Sequence, residues 1–195
     1  MRKKDVQYDV RTFDGPNCHI EVRKDGPGPT KIVGLAAVFD SEAHNEVIRP
    51  GAFKKTLRES KDIRAFWNHD DGKPLGRTKN GTLTLRETDK GLQVVIVPDA
   101  ETTWGSDALK AVERGDVSAF SFGFKVIKEK FSKRSDGKAP PLRELLEVEL
   151  IEVSPVTFAW YEDTHAETRW KPTPASRGRR LFLWDWWRRR KKVSR

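Results

Sequence analysis

The chain has 195 residues, of which 36% are hydrophobic and 34% are charged, and its formal net charge is +9. This length is enough for one domain with a sizeable core and an appendage. The single cysteine, Cys18, excludes an intramolecular disulfide and a cysteine cage for a metal. Residues 177–195 hold nine basic residues and one acid, which leaves a net charge of only +1 for the rest. A nucleic-acid-binding role for the whole chain is therefore disfavoured.

The first half of the chain is rich in predicted strands. Apolar and β-prone residues, separated by turn-forming segments, predict strands at 19–23, 31–39, 62–70, 82–87 and 91–98. Helical spacing of apolar residues predicts a short helix over 52–60. Residues 71–81 are turn-rich, and Asn80-Gly81 is a hairpin signal.

The second half adds one helix and two further β-prone segments. A helix is predicted over 106–115, with Ser106 as its N-cap and Gly115 as its stop. A strand follows through FSFGFKVI, then a polar loop over 131–141. A second β-prone segment over 142–161 is expected to be interrupted at Ser154-Pro155. The fold class is therefore mainly β with peripheral helices, as a barrel or a sandwich.

Composition sets the expected boundary of the domain. From about Thr168 the chain becomes rich in Pro, Ser, Gly and Arg, so we expect a domain over 1–168 and a linker with a basic, Trp-rich tail over 169–195. The N-terminal MRKKDVQYDV lacks the apolar run of a secretory signal, and no stretch has the length of a membrane helix. A reducing cytoplasm is the expected compartment.

The stretch GDVSAFSFGF (115–124) interleaves phenylalanine with serine, and alternation along a strand separates it into two faces. The aromatic face is expected to be core and comprises Ser118, Phe120, Phe122, Phe124 and Val126. The opposite face comprises Ala119, Ser121, Gly123 and Lys125. Small neighbours leave room for a peptide carbonyl to approach Ser121, as acyl transfer requires. A half-exposed strand that carries a serine is the alternative, and this stretch alone favours it.

A serine nucleophile requires a base, and the chain has four histidines. His69 ends the strand-like segment IRAFWNH beside an Asp-Asp-Gly loop, where we expect it to be partly buried yet reachable. His19, His44 and His165 lie in polar or charged surroundings and are interpreted as surface residues. A purely structural role is the alternative for His69.

A third candidate lies in LLEVELIEVSP. Alternation places Glu152 on the same face as Leu146, Val148 and Leu150. An unpaired carboxylate among apolar side chains is costly, so Glu152 needs a partner, and an imidazole is one candidate. An exposed strand end, or an arginine partner, is the alternative.

Metal and cofactor chemistry finds no support in the sequence. It has no HExxH motif, no paired cysteines and no glycine loop of the phosphate-binding kind. His69-Asp70-Asp71 is too local to surround a metal ion. The sequence therefore predicts neither a metal nor another cofactor.

Five segments follow one another along the chain: EVIRPGAFKKTL (46–57), FWNHDDGKPLGRTKNGTLTL (66–85), GL (91–92), ERGDVSAFSFGFKV (113–126) and ELIEVSPVTFAWYEDT (149–164). In this order they resemble the tailed-phage prohead maturation protease family, a family of serine endopeptidases. The resemblance is collinear from about Ile32 to Arg169. It implies a β-barrel surrounded by short helices, similar to herpesvirus assemblin.

The resemblance also implies a function and its residues. By position, the family's histidine falls on His69, its acid on Glu152, and its serine on Ser121, with Ser118 as the alternative. The implied activity is cleavage of the scaffold, or of the scaffold-like part of the capsid protein, within the procapsid in the host cytoplasm. Self-cleavage commonly accompanies it, and self-association is expected.

The basic tail and the body each leave rival interpretations open. Residues 179–192 (RRLFLWDWWRRRKK) are typical of a helix that docks on a membrane, scaffold or capsid, of a nucleic-acid contact, or of an extension removed by self-processing. For the body, the rival to an enzyme is a capsid-assembly or scaffold protein that has the same fold without activity.

Overall fold

The structure, a computed structural model, describes residues 8–13, 20–43, 45–60, 62–134 and 140–157. The strands within these ranges are β1 (Asp9–Phe13), β2 (Ile20–Arg23), β3 (Lys31–Val38), β4 (Glu46–Ile48), β5 (Arg64–Trp67), β6 (Asp70–Arg77), β7 (Leu83–Glu87), β8 (Gly91–Ile96), β9 (Ala119–Ser132) and β10 (Leu142–Val156). The helices are α1 (Lys54–Glu59), α2 (Thr103–Glu113) and a 3-10 helix at Thr78–Asn80. None of these helices is long and apolar enough to cross a membrane.

These strands pair in two sheets. The first sheet has the order β1-β9-β10-β5-β6, and β4 pairs in parallel with β10 beside that path. The second sheet has the order β2-β3-β8-β7. The mainly β class with few helices is confirmed. The described strands do not close into a barrel, because no ladder joins the two sheets.

The core forms on the aromatic face of β9. Phe120, Phe122 and Phe124 are buried, as alternation predicts. The Phe122 ring stacks on Phe124 at 5.1 Å between centroids and meets the edge of Phe53 at 5.7 Å. Phe53 immediately precedes α1, so it ties the short helix to this face. The other face of β9 carries Ser121 and Gly123.

The prediction of a turn-rich region over 71–81 is wrong for residues 71–77. Residues Asp70–Arg77 form β6, which pairs antiparallel with β5. The Asn80-Gly81 signal does not join two paired strands either. It belongs to the 3-10 helix, and Gly81 has a left-handed φ of 77° as the chain passes from the first sheet to the second.

Three other boundaries also differ from the sequence predictions. The side chain that caps α2 is Thr102, whose hydroxyl accepts from the Gly105 amide at 3.2 Å, and Ser106 lies inside the helix. Gly115, with a φ of 79°, follows the helix end as predicted. Strand β9 extends into the predicted polar loop as far as Ser132, and β10 runs through Ser154-Pro155 without a break. Proline is accommodated because β5 pairs with β10 only at Glu152 and Val153.

Candidate active site

Neighbouring strands of the first sheet bring His69, Ser121 and Glu152 together. Ser121 lies on β9, and Glu152 lies on β10, where Ser154 pairs with Ser121 and Glu152 pairs with Gly123. His69 lies in the turn between β5 and β6, and β5 runs beside β10 at Glu152. Residues that are 83 and 52 positions apart from His69 thus become its hydrogen-bond partners.

The imidazole of His69 bridges the other two side chains. Its Nε2 lies 2.8 Å from Ser121 Oγ, and its Nδ1 lies 2.7 Å from Glu152 Oε1. An ionised carboxylate can only accept, so Nδ1 carries a proton toward Glu152 and Nε2 is left to accept the proton of the serine hydroxyl. This order of groups can activate a serine and stabilise the imidazolium that results.

Burial differs sharply along this hydrogen-bond chain. The His69 side chain is 27% exposed, whereas Glu152 is 1% exposed and Ser121 is fully buried. The carboxylate therefore acts on the imidazole from a nearly dry environment, where electrostatic interactions are stronger than in water. The imidazole remains reachable from solvent, as the sequence predicts for His69.

His69 is held in an unusual backbone conformation. Asn68 and His69 form the two-residue connection of the β5–β6 hairpin, and both have positive φ, 51° and 60°. A type I′ turn requires positive φ at both positions and normally uses glycine for one of them. A histidine there is strained by about 1–3 kcal/mol, a feature that clusters at functional sites.

Hydrogen bonds to the end of β10 hold this turn in place. The Asn68 amide donates to the Pro155 carbonyl at 3.2 Å, and its side-chain oxygen accepts from the Thr157 amide at 3.0 Å. The His69 amide donates to Ser154 Oγ at 3.3 Å. These contacts with the end of β10 therefore hold the strained turn and determine where the imidazole points.

A β-bulge places Glu152 on the face opposite to the predicted one. The register shifts between Leu150, which pairs with Phe124, and Glu152, which pairs with Gly123. The extra residue, Ile151, reverses the alternation, so Leu150 lies on the aromatic core face and Glu152 lies on the Ser121 face. The prediction that Glu152 shares a face with Leu150 is wrong. The prediction that its carboxylate needs a partner holds, because the side chain is buried.

Bulges also explain why Leu146 is not on the predicted core face. Register shifts flank Glu147, and the residue buried in the core is Leu145, whereas Leu146 is 40% exposed. Strict alternation over 146–152 fails at both ends of the segment because the register shifts there at β-bulges.

Ser154 is a fourth member of the site that the sequence reasoning missed. Its hydroxyl is buried and donates to Glu152 Oε2 at 2.7 Å, while its oxygen accepts from the His69 amide. It thus fixes both the carboxylate and the turn that carries the imidazole. The signal was available, since Ser154 follows Glu152 by two residues and so shares its strand face.

Ser154→Ala is expected to lower kcat by about tenfold and to leave KM nearly unchanged. The variant leaves one buried carboxylate oxygen without its donor, an effect of about 1–3 kcal/mol, and 1.4 kcal/mol corresponds to a tenfold change in rate. The matched control is Ser132→Ala, which removes a hydroxyl that donates to the Glu144 carboxylate far along the same β9–β10 ladder. Steady-state kinetics on one peptide substrate checks both, and equal kcat values for the two variants would contradict a positioning role for Ser154.

Gly123 and Tyr8 complete the wall around the carboxylate. A Cβ at Gly123 would lie 2.4 Å from Tyr8 Cε2 and 2.8 Å from Glu152 Oε1, so a larger residue would displace the Tyr8 ring or the carboxylate. Burial raises the pKa of the Tyr8 phenol, and the Glu152 and Asp71 carboxylates raise it further. The small face predicted around Ser121 is present, but Tyr8 fills the room beside it. Nothing in the local sequence indicates Tyr8.

The remaining sequence candidates do not join this site within the described residues. Ser118 precedes β9 and is exposed, and the hydroxyl within hydrogen-bond distance of the imidazole is that of Ser121. His19, His44 and His165 lie outside the described residues, as does the basic tail over 177–195. No group of three His, Cys, Asp or Glu side chains in the described ranges is placed to hold a metal ion.

Comparison with known proteins gives two matches. Residues 18–175 match the model of a family described as caudovirus prohead serine protease. The prohead protease of Enterobacteria phage HK97 is 30% identical over 116 residues, which are 57% of this chain and 50% of that protein. The match thus spans about half the length of this relative. No solved structure matches the chain, and the likeness to herpesvirus assemblin stays a prediction.

Proposed function

Because this chain belongs to the caudovirus prohead serine protease family, we propose that it is a serine endopeptidase acting through Ser121, His69 and Glu152. Ser121 is the nucleophile, His69 the general base and then the general acid, and Glu152 the carboxylate that orients the imidazole. The observation that carries the proposal is the continuous hydrogen-bond chain from Ser121 Oγ through His69 to Glu152.

Each group has one defined task in the reaction. His69 Nε2 takes the hydroxyl proton while Ser121 Oγ attacks the scissile carbonyl carbon. The imidazolium returns the proton to the leaving amine as the C–N bond breaks, and water then hydrolyses the acyl-enzyme with the same base. Glu152 holds the proton on Nδ1 throughout and stabilises the positive charge on the ring.

The proposed substrate is the scaffold, or the scaffold-like part of the capsid protein, and the protease itself. Family membership and the name of the HK97 relative support this substrate class. The proposed place of action is inside the procapsid, assembled in the host cytoplasm, where protease molecules associate with one another.

Incubation of the purified protein with its own phage's capsid precursor is expected to produce a discrete set of new N-termini. Prior reaction with a fluorophosphonate should abolish those products, because the reagent blocks the serine nucleophile. Addition of EDTA serves as the control and should leave them unchanged. Mass spectrometry of the products checks this result, and products that persist after complete phosphonylation of Ser121 would contradict the proposal.

One observation favours a second function, that of a capsid-assembly or scaffold protein without activity. Ser121 is fully buried, so a substrate carbonyl has no path to it in the described conformation. This function predicts that a fluorophosphonate never modifies Ser121, whatever the reaction time. The two functions are therefore separated by the mass of the labelled protein.

A further inference from the structure

Strand β1 forms the edge of the first sheet and lies directly beside β9, the strand that carries Ser121. It pairs antiparallel with β9, and its register places Thr12 opposite Ser121 and Val10 opposite Gly123. Paired residues on neighbouring strands share a face. Thr12 is therefore on the Ser121 side of the sheet, and it is buried there.

This strand closes the space that a substrate needs. The Arg11 carbonyl oxygen lies 3.0 Å from Ser121 Oγ, and the ring of Tyr8 covers Gly123. A reacting carbonyl carbon must come within about 3–3.5 Å of the nucleophilic oxygen. The Arg11 carbonyl already occupies a position next to that oxygen, and it contributes to the complete burial of Ser121 together with β10 and His69.

The same carbonyl competes with the base for a proton. A serine hydroxyl has one hydrogen and can donate it to one acceptor at a time. Ser121 Oγ lies within hydrogen-bond distance of both His69 Nε2 and the Arg11 carbonyl. When the hydroxyl donates to Arg11, His69 cannot remove its proton, so β1 blocks the chemistry as well as the access.

One side chain anchors β1 to the rest of the sheet. The Arg11 guanidinium makes two hydrogen bonds to Glu46, at 2.7 and 3.1 Å, and lies 5.7 Å from the centroid of the Phe124 ring. Val10, in contrast, is 41% exposed. Among the described strands β1 pairs with β9 alone, and a short edge strand with one paired neighbour is the kind of element that opens before the centre of a sheet.

We propose that β1 is an autoinhibitory strand, and that it occupies the edge of β9 where an extended substrate peptide pairs during cleavage. The inference rests on the proposed function of Ser121. Displacement of β1 exposes the unpaired edge of β9, and a peptide that adds there as an antiparallel strand brings its own carbonyl to Ser121. The chain is thus assembled for catalysis but closed until β1 leaves.

The test compares the rate of fluorophosphonate labelling of Ser121 in three proteins. Arg11→Ala removes the anchor but keeps the main-chain carbonyl, and Glu46 still has Arg143 at 2.8 Å, so the fold should be retained. The matched control is Arg23→Ala, which removes an arginine from an ion pair with Glu21 on an edge strand of the other sheet. Arg11→Ala is expected to react about fivefold faster than the wild type, and Arg23→Ala at the wild-type rate.

Hydrogen exchange on the wild-type protein gives a second measurement that does not depend on a variant. Amides of 9–13 should lose protection once Ser121 is phosphonylated, because the adduct takes the space of β1, while amides of β9 and β10 keep theirs. Equal labelling rates for wild type and Arg11→Ala, or full protection of β1 in the phosphonylated protein, would overturn the autoinhibitory role and leave the protease assignment intact. No labelling of Ser121, even in a variant lacking residues 1–13, overturns the nucleophile assignment and the role of β1 together.

Discussion

Ser121→Ala is expected to reduce kcat/KM for cleavage of a peptide from the capsid junction by roughly 10⁴- to 10⁶-fold. The variant removes the atom that forms the acyl-enzyme, and neither the imidazole nor the carboxylate can replace it. Only a small hydroxyl is lost from a buried position, so the fold should persist. Steady-state kinetics with a sensitive mass-spectrometric readout measures the residual rate, and thermal unfolding checks the fold.

The matched control for this variant is Ser118→Ala. Ser118 lies three residues earlier, is exposed and precedes β9, so its loss should change kcat/KM by less than about twofold. The pair also separates the two serines that the family motif leaves open. If Ser118→Ala is inactive and Ser121→Ala retains activity, the nucleophile assignment is wrong.

Glu152→Gln is expected to lower kcat by about 10⁴-fold while the variant stays folded. Glutamine keeps the shape of the buried side chain but can donate from its amide to the imidazole. When that amide donates to Nδ1 of His69, the favoured tautomer of the imidazole carries its proton on Nε2. A protonated Nε2 cannot accept the proton of Ser121. A variant that truncates the side chain would confuse this effect with a cavity, and for that reason the isosteric change is the sharper one.

Glu149→Gln provides the comparison on the same strand. Glu149 is exposed and forms an ion pair with Lys125 at 3.6 Å. It lies on β10, three residues before Glu152. A surface pair of this kind contributes little, so activity and stability should both stay close to wild type. Comparable kcat values for Glu152→Gln and Glu149→Gln would show that the carboxylate does not orient the base. The pH dependence of kcat provides an added readout, since a loss of the correct tautomer changes its profile.

The complete hydrogen-bond chain and the buried Ser121 together fit a site that is assembled but closed. The proposed protease would have to stay inactive until its substrate has assembled, and the proposed role of β1 would keep a complete site closed until then. Arg11 links this strand to Glu46, on the aromatic side of the sheet, so under the autoinhibitory proposal contacts remote from the imidazole would set how often Ser121 becomes accessible.

Each of the three candidate residues has a local signature in the sequence, although the stretch around Ser121 alone favours a structural serine. Ser121 stands among small neighbours on an alternating strand, His69 ends a strand beside a polar loop, and Glu152 is an acid within an apolar segment. The family resemblance placed all three. The predicted face of Glu152 failed, since a bulge at Ile151 arises from how β10 pairs with β9 and leaves no mark in the strand's own composition.

Sequence alone determined the mainly β character, the aromatic core face of β9 and the identities of the candidate nucleophile, base and acid. The first two depend on residue chemistry and on a two-residue period, which are local properties, and the three candidate residues were assigned by the family resemblance. Only the tertiary structure decided that Asn68 and His69 adopt a strained turn, and that β1 covers Ser121. Each of these depends on contacts between residues up to 110 positions apart, and such contacts exist only once the strands have paired.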